Sequence, residues 1–149
     1  MIDKETFLQI VDSTPLVSID LILENQQGKV LLGMRNNSPA QGYWFVPGGI
    51  IRKNERLSDA FKRISSVELG AELIITDAKL IGAFEHIYED NFLGKQGINT
   101  HYVVLAYKIK AKEHFKPKPD NQHSEMQWWL KDSLLKEPKV HKNTKDYFV

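Results

Sequence analysis

The segment spanning residues 56–69 most constrains the fold, because a helical apolar stripe and a carboxylate share one side of it. Apolar side chains recur there every three or four residues, as in an amphipathic helix. At about 100° per residue, Glu68 lies roughly 20° from Leu57 and from Phe61. An inward carboxylate needs a partner, either a metal ion or an arginine. The stripe consists of Leu57, Ala60, Phe61, Ile64 and Val67.

The rest of the chain has the pattern of short strands with a few short helices. Residues 16–24 are rich in Val, Ile and Leu, and a turn signal at 25–28 separates them from a second strand at 29–34. Strands and helices in this mixed order predict an α/β protein with one domain over residues 1–149. We also expect a helix over 3–12 capped by Asp3, strands near 43–46, 79–86, 101–110 and 126–130, a loop over 113–124, and a helix end at Gly70.

Charge and composition exclude several classes of function. The 149 residues include 20 basic and 19 acidic side chains, so no broad cationic field exists for a nucleic-acid backbone. The chain has no cysteine, which excludes disulfides, thiolate metal sites and a cysteine nucleophile. No apolar run approaches the roughly 18 residues of a membrane span, and the N-terminus is too polar for a signal peptide. We therefore expect a cytoplasmic protein with a local phosphate site.

A glycine pair precedes the helix and suggests a ligand site. Gly48 and Gly49 follow Pro47, and glycine lets the backbone approach a ligand closely. A backbone carbonyl there and the Glu68 carboxylate are oxygen donors of the kind that Mg²⁺ and Mn²⁺ prefer. Such ions commonly bridge phosphate oxygens. A lone glycine pair would usually be a mere turn, but its position before an inward carboxylate favours function.

Two arginines could bind the phosphate. Arg35 ends the second expected strand, and Arg63 flanks the apolar stripe of the helix. A guanidinium group binds a phosphate through a planar fork of donors. Taken alone, Arg35 is equally compatible with a solvated strand end, and Arg63 with an ion pair to Asp59 one turn earlier.

The stretch from residue 49 to residue 71 resembles the Nudix box. That motif has a glycine, five residues, a glutamate, seven residues, and then Arg-Glu-aliphatic-x-Glu-Glu-x-Gly-aliphatic. The resemblance implies the Nudix fold, a mixed β-sheet sandwiched between helices. Ile64 and Val67 stand where the usual box has glutamates, and Ser65 replaces an aliphatic residue. We therefore expect fewer metal ions, one per subunit, and a base from elsewhere. The matching positions are Gly49, Glu55, Arg63, Glu68 and Gly70.

Within that superfamily, the chain resembles the GDP-mannose mannosyl hydrolases, which have a similarly altered box. The resemblance implies hydrolysis of GDP-mannose or GDP-glucose to GDP and the free sugar. Water would attack the anomeric carbon, with inversion, rather than phosphorus. It also implies a homodimer and a setting in bacterial polysaccharide metabolism. The landmarks are the segments 13–18, 39–49, 89–92, 100–105 and 122–123.

The resemblance assigns a role to each candidate residue. The Gly49 carbonyl, Glu68 and Gln122 would bind Mg²⁺, with Mn²⁺ as an alternative. His123 would activate water, since a histidine titrates near neutral pH. It lies on an expected polar loop that could close over the substrate. The substrate-side roles fall to Arg35, Arg63 and Tyr102 for the departing diphosphate, to Asp20 and His86 for the sugar, and to Phe7 for stacking on guanine.

One departure from the subfamily leaves other functions open. The relatives carry an arginine directly after the glycine pair, whereas this chain has Ile50, with Arg52 two residues further on. One alternative is a conventional Nudix pyrophosphohydrolase that cuts between phosphates, although the missing glutamates argue against it. The other is a silent module that binds a nucleotide sugar without turnover. Adjacent tryptophans in a strand face opposite sides, so at least one of Trp128 and Trp129 should be core.

Overall fold

The computed structural model describes residues 2–118 and 123–149, with the backbone alone for residues 123 and 124. Single-turn 3₁₀ helices lie at Ile75–Asp77 and Asp146–Phe148. The regular elements are α1 (Lys4–Ser13), β1 (Leu16–Glu24), β2 (Val30–Arg35), β3 (Trp44–Phe45), β4 (Gly48–Ile50), α2 (Leu57–Leu69), β5 (Lys79–Tyr88), β6 (Thr100–Lys110), β7 (His123–Trp129), α3 (Lys131–Lys136) and α4 (Lys142–Lys145).

In the described part of the chain, the strands form one seven-stranded mixed sheet. Its main order is β3-β2-β1-β6-β5, while β4 pairs with β1 and β7 pairs with β2. The β1–β6 pair is parallel along its whole length, and the other strand pairs are antiparallel. The expected α/β class with a mixed sheet is confirmed. The central position of β1 matters for the site, because both β4 and β6 lie beside it.

Strand β1 separates two hydrophobic clusters because its side chains alternate between the two faces of the sheet. Leu21 and Leu23 pack with Phe61 of α2 on one face. Ile22 packs with Leu134 of α3 on the other face. Helices therefore cover both faces, as the fold expectation required. The two tryptophans of β7 obey the same alternation, since Trp128 contacts the first cluster and Trp129 the second.

Helix α2 ends as expected, but its buried stripe differs from the prediction. Gly70 follows the last turn with φ of 72°, the left-handed conformation of a glycine cap. Leu57 and Val67 are 43% and 53% exposed, so their assignment to the apolar stripe was wrong. Leu57 precedes the first buried position, Ala60, by almost a turn, and Val67 lies about 120° around the axis from Phe61. The buried face is Ala60, Phe61, Ile64, Ser65, Glu68 and Leu69.

The structure also defines the start of α1 and the start of β7. The cap of α1 is confirmed, because the Thr6 amide donates to Asp3 Oδ1 at 2.9 Å. The expected loop over 113–124 was too long, because β7 begins at His123. Pairing with β2 runs from Val30 opposite Trp129 to Arg35 opposite His123, with a bulge near its end. This tertiary pairing outweighs the polar composition of the segment. None of the described helices is long and apolar enough to cross a membrane.

Candidate functional site

The glycine pair lies in β4, directly beside β1. Gly48 pairs with Asp20 and Gly49 with Ile19. The Leu21 amide donates to the Pro47 carbonyl at 2.8 Å, which fixes the start of the turn. A Cβ atom on Gly48 would lie 2.6 Å from the Ile19 carbonyl oxygen and closer still to Asp20 Oδ1. Only glycine therefore allows the Asp20 carboxylate to lie against this backbone.

Helix α2 brings Glu68 to the other side of β4. A Cβ atom on Gly49 would lie 3.1 Å from Ile64 Cγ1, so α2 and β4 are in close contact. Glu68 follows Ile64 by one helical turn and is 3% exposed. The inward orientation that the sequence predicted for Glu68 is confirmed. The Glu68 carboxylate and the Gly49 backbone thus belong to one β4–α2 interface.

Arg63 stabilises this interface through a bidentate ion pair with Glu55. Its Nε donates to Glu55 Oε2 at 2.7 Å, and its Nη2 donates to Glu55 Oε1 at 2.9 Å and to the Ile50 carbonyl at 2.8 Å. The hydrogen bonds from Arg63 lower the pKa of Glu55 to about 2. The partner is therefore Glu55 and not Asp59, which corrects the sequence interpretation. These contacts make Arg63 a brace of the β4–α2 connection; its contact with a diphosphate stays a prediction.

A second group of polar side chains lies on the other side of Gly48. The Tyr147 hydroxyl donates to Asp20 Oδ2 at 2.5 Å and lies 3.4 Å from His86 Nε2. Burial raises the pKa of Asp20 to about 7, against the opposing effects of Tyr147 and Arg35. Burial and the nearby His141 lower the pKa of His86 to about 4, so its ring is neutral at pH 7. The structure therefore brings the predicted pair Asp20 and His86 together, with Tyr147 between them.

Arg35 and Tyr102 extend this group. The Arg35 Nε donates to the Pro39 carbonyl at 3.0 Å, and its guanidinium lies 6.0 Å from the centre of the Phe45 ring. Burial raises the pKa of Tyr102, while the positive charge of Arg35 opposes that rise. Asp20 acts on Tyr102 in the opposite direction to Arg35. The charges of Arg35 and Asp20 thus both act on Tyr102, whereas the contacts of these residues with a substrate stay predictions.

An open cleft of about 440 Å³ adjoins this group. Part of its wall comes from Tyr88 and His141, and the loop 38–41 forms another part.

Phe7 of α1 packs against Phe92, which lies in the loop that follows β5, with ring centres 5.0 Å apart. That contact is with protein, and the stacking of Phe7 on guanine stays a prediction.

The C-terminal segment supplies site residues that the sequence reasoning missed. The sequence reasoning assigned no role to His141, yet its ring stacks on Phe45 at 4.8 Å and contacts Tyr88 at 5.3 Å. Asn143 opposes the rise that burial causes in the pKa of Tyr88, and the Tyr147 hydroxyl donates to Asp20. The adjacent aromatic residues at 147–148 indicate packing on the core, because large rings bury much apolar surface, but they do not indicate which residues they contact.

The structure describes only the backbone of one predicted site residue, His123, and does not describe another, Gln122. Gln122 lies outside the described residues. The backbone of His123 begins β7 opposite Arg35, in a strand and not in the expected loop.

Arg52 is exposed, and its amide donates to Glu55 Oε1 at 3.0 Å. The structure gives no sign that Arg52 replaces the arginine whose position Ile50 occupies.

The donors at the β4–α2 interface fit a hard cation. Among the described side chains, those of residues 2–118 and 125–149, no group of three or more His, Asp or Glu residues is arranged to hold a metal ion. A site there must therefore combine the Glu68 carboxylate with backbone oxygen, such as that of Gly49, and with water or a further amide. Mg²⁺ accepts this type of donor set, since it usually binds one or two carboxylates and keeps several waters.

The mixed sheet, the box helix and the glycine pair define a class of protein that family comparison identifies. Residues 14–148 match the NUDIX domain family, so the chain belongs to the Nudix family. Nudix proteins of this kind are hydrolases that generally use Mg²⁺ or Mn²⁺. Membership accounts for the ion pair between Arg63 and Glu55, because both residues belong to the motif.

One relative by sequence and two solved structures are similar to this chain. Low-salt glycan biosynthesis protein Agl8 of Haloferax volcanii is 42% identical over 118 residues, which are 78% of this chain and 72% of that protein. The MutT protein from Methanosarcina mazei Go1 has a TM-score of 0.71 at 18% identity, covering 91% and 92% of the two chains. The NUDIX domain of Shewanella oneidensis NrtR, complexed with ADP ribose, has a TM-score of 0.65 at 20% identity, covering 95% and 92%. The two structures establish the fold.

Proposed function

We propose that this Nudix hydrolase cleaves GDP-mannose or GDP-glucose to GDP and free sugar, with Mg²⁺, by attack of water at the anomeric carbon with inversion. The observation that carries the proposal is the replacement of the motif's other glutamates on α2. Ile64 packs on Gly49, and Val67 is exposed. Within α2, whose residues are all described, Glu68 is the one buried carboxylate.

This loss favours one metal ion over several. Attack on phosphorus by Nudix enzymes normally relies on grouped carboxylates, which hold metal ions and often activate water. With Ile64 in contact with Gly49, an apolar side chain occupies the space where a second carboxylate would lie. Glu68 and the Gly49 carbonyl are the proposed ligands, joined by Gln122. When bound, Mg²⁺ would neutralise charge on the diphosphate as it departs.

The polar side chains beside Gly48 support a sugar as the reacting group. Asp20 and His86 offer acceptors and donors for sugar hydroxyls, and His86 is neutral at pH 7. Arg35 and Tyr102 lie beside Asp20 and are the proposed contacts of the diphosphate. Asp20 borders the glycine pair, so a sugar bound to Asp20 would have its anomeric carbon close to the metal-bound diphosphate.

The proposed chemistry needs a base for water. In the reaction, a water oxygen bonds to the anomeric carbon while the bond from that carbon to the diphosphate oxygen breaks. GDP leaves with the bonding electrons, and the water proton passes to His123. The start of β7 opposite Arg35 supports this assignment, because the backbone of His123 lies next to the strand end that carries the diphosphate-binding arginine. The proposal includes a cytoplasmic homodimer, as the resemblance implies.

The similar proteins support a nucleotide sugar as substrate class. Agl8 is described as a glycan biosynthesis protein, and the NrtR domain was crystallised with ADP ribose, a nucleoside diphosphate joined to a sugar. Both descriptions belong to those proteins, and they favour this class over other diphosphates for the present chain.

Product analysis with GDP-mannose and with GDP-glucose tests the proposal. In Mg²⁺ buffer, ³¹P NMR should detect GDP as the sole phosphorus product. Glu68→Gln should abolish most turnover, while the control Glu72→Gln, at an exposed position in the segment after α2, should not. GMP and a sugar phosphate as sole products would instead establish a pyrophosphohydrolase. Nucleotide-sugar binding without products would establish a binding module.

A further inference from the structure

Tyr147 belongs to the last turn of the chain, yet its hydroxyl reaches the sugar side of the site. We propose that Tyr147 is a positioning residue that holds the Asp20 carboxylate and the His86 ring in the orientation that distinguishes one hexose from its epimer. The inference rests on the function proposed for Asp20 and His86, and it adds a determinant of specificity from outside the Nudix box.

The hydrogen-bond geometry gives the hydroxyl two fixed neighbours. Tyr147 donates its single proton to Asp20 Oδ2 at 2.5 Å, so its oxygen can only accept from His86 Nε2, which lies 3.4 Å away. This arrangement favours the His86 tautomer with the proton on Nε2. Nδ1 is then an acceptor. The orientation of Asp20 and the tautomer of His86 thus depend on one hydroxyl group.

The segment that carries Tyr147 is anchored to β3 and to the residue that follows this strand. The Trp44 amide donates to the Lys139 carbonyl at 2.7 Å, and the Val46 amide donates to Thr144 Oγ1 at 3.3 Å. Thr144 is 1% exposed. The Tyr147 ring also packs edge-on against Phe84, with ring centres 4.8 Å apart. These contacts fix the hydroxyl in place, so it can act as a rigid support.

Rigid support matters because hexose epimers differ only in the direction of one hydroxyl. A pocket that hydrogen-bonds a hydroxyl in one direction rejects the epimer, since the polar groups of the pocket are then left unpaired. Without the Tyr147 hydroxyl, Asp20 can rotate to meet either epimer. GDP alone carries no hexose, so we expect its affinity not to depend on this contact.

The test compares Tyr147→Phe with the matched control Tyr107→Phe. Tyr107 is a buried tyrosine that packs against Phe61 in the α2 cluster, whereas Tyr147 packs against the cluster on the other face of the sheet. The ratio of kcat/KM for GDP-mannose to that for GDP-glucose should move about 5- to 10-fold towards unity in Tyr147→Phe, as loss of one hydrogen bond predicts. The affinity for GDP, which lacks the hexose, should change less than about twofold in both variants, so the change lies in discrimination between the two sugars. An unchanged ratio would overturn the role in specificity.

A measurement without substrate separates this inference from the proposed function. ¹⁵N NMR of the imidazole groups in the wild-type protein should find His86 with its proton on Nε2, and its ring resonances should shift in Tyr147→Phe but not in Tyr107→Phe. A proton on Nδ1, or unshifted resonances, would overturn the positioning role even if GDP-mannose is hydrolysed. If neither nucleotide sugar is turned over, the proposed function fails, and the role in hexose discrimination fails with it.

Discussion

The ion pair between Glu55 and Arg63 yields a prediction about stability and pH. The pKa of Glu55 falls from 4.5 to about 2 on folding, chiefly because Arg63 donates two hydrogen bonds to it. That difference corresponds to about 3 kcal/mol of stability if it is fully realised. The two side chains are 14% and 25% exposed, so solvent screens part of the interaction. We therefore expect Glu55→Gln to lower the free energy of unfolding by about 1–3 kcal/mol at pH 7.

The sign of the pH dependence follows from the direction of the shift. Because the pKa is lower in the folded state, the contribution is complete above about pH 4.5 and is lost as the pH falls towards 2. Urea denaturation of wild type and Glu55→Gln between pH 7 and pH 2 should give curves that converge at the acid end. The control Glu72→Gln removes an exposed carboxylate 3.6 Å from Lys62 and should change stability little. A Glu55→Gln effect as small as that control, or one that persists at pH 2, would refute the reasoning.

Three other predictions concern the glycine pair, the metal and the base. Gly48→Ala should lower the free energy of unfolding by about 1–3 kcal/mol in chemical denaturation, because its Cβ would lie 2.6 Å from the Ile19 carbonyl oxygen, whereas the Cβ of Gly49→Ala would meet a side chain instead of backbone, at 3.1 Å, and should cost less. Glu68→Gln should weaken Mg²⁺ binding in calorimetric titration, and unchanged affinity would remove it as a ligand. His123→Ala should reduce kcat by about 10²–10⁴-fold with nearly unchanged GDP binding, and unchanged turnover would remove it as the base.

Local pattern was sufficient for much of the fold. The caps at Asp3 and Gly70 and the whole of β1 lie where the sequence predicts them, because each depends on side chains within a few residues. The start of β7 was missed, because Arg35 on a distant strand supplies the pairing that extends it. The exposure of Val67 was missed for a similar reason, since the docking angle of α2 decides which edge of its stripe is buried.

The site residues also divide into those that the local sequence predicts and those whose positions depend on distant contacts. The inward Glu68 follows from helical periodicity, and the proximity of Asp20 to the glycine pair depends on the β1–β4 register. The roles of Tyr147 and His141 could not be predicted, because they depend on how the C-terminal segment folds back onto β3 and β5. No local signal encodes a contact between residues 127 positions apart in the chain.

The measurement that tests the central claim most directly is hydrolysis of GDP-mannose with Mg²⁺ in ¹⁸O-labelled water. Mass spectrometry of the products, read within seconds of quenching, reports which atom the water attacked. The label should appear in mannose, with unlabelled GDP, if the anomeric carbon is the electrophile. Label in a phosphate-containing product, with mannose unlabelled, would contradict attack at carbon and remove the function assigned to His123.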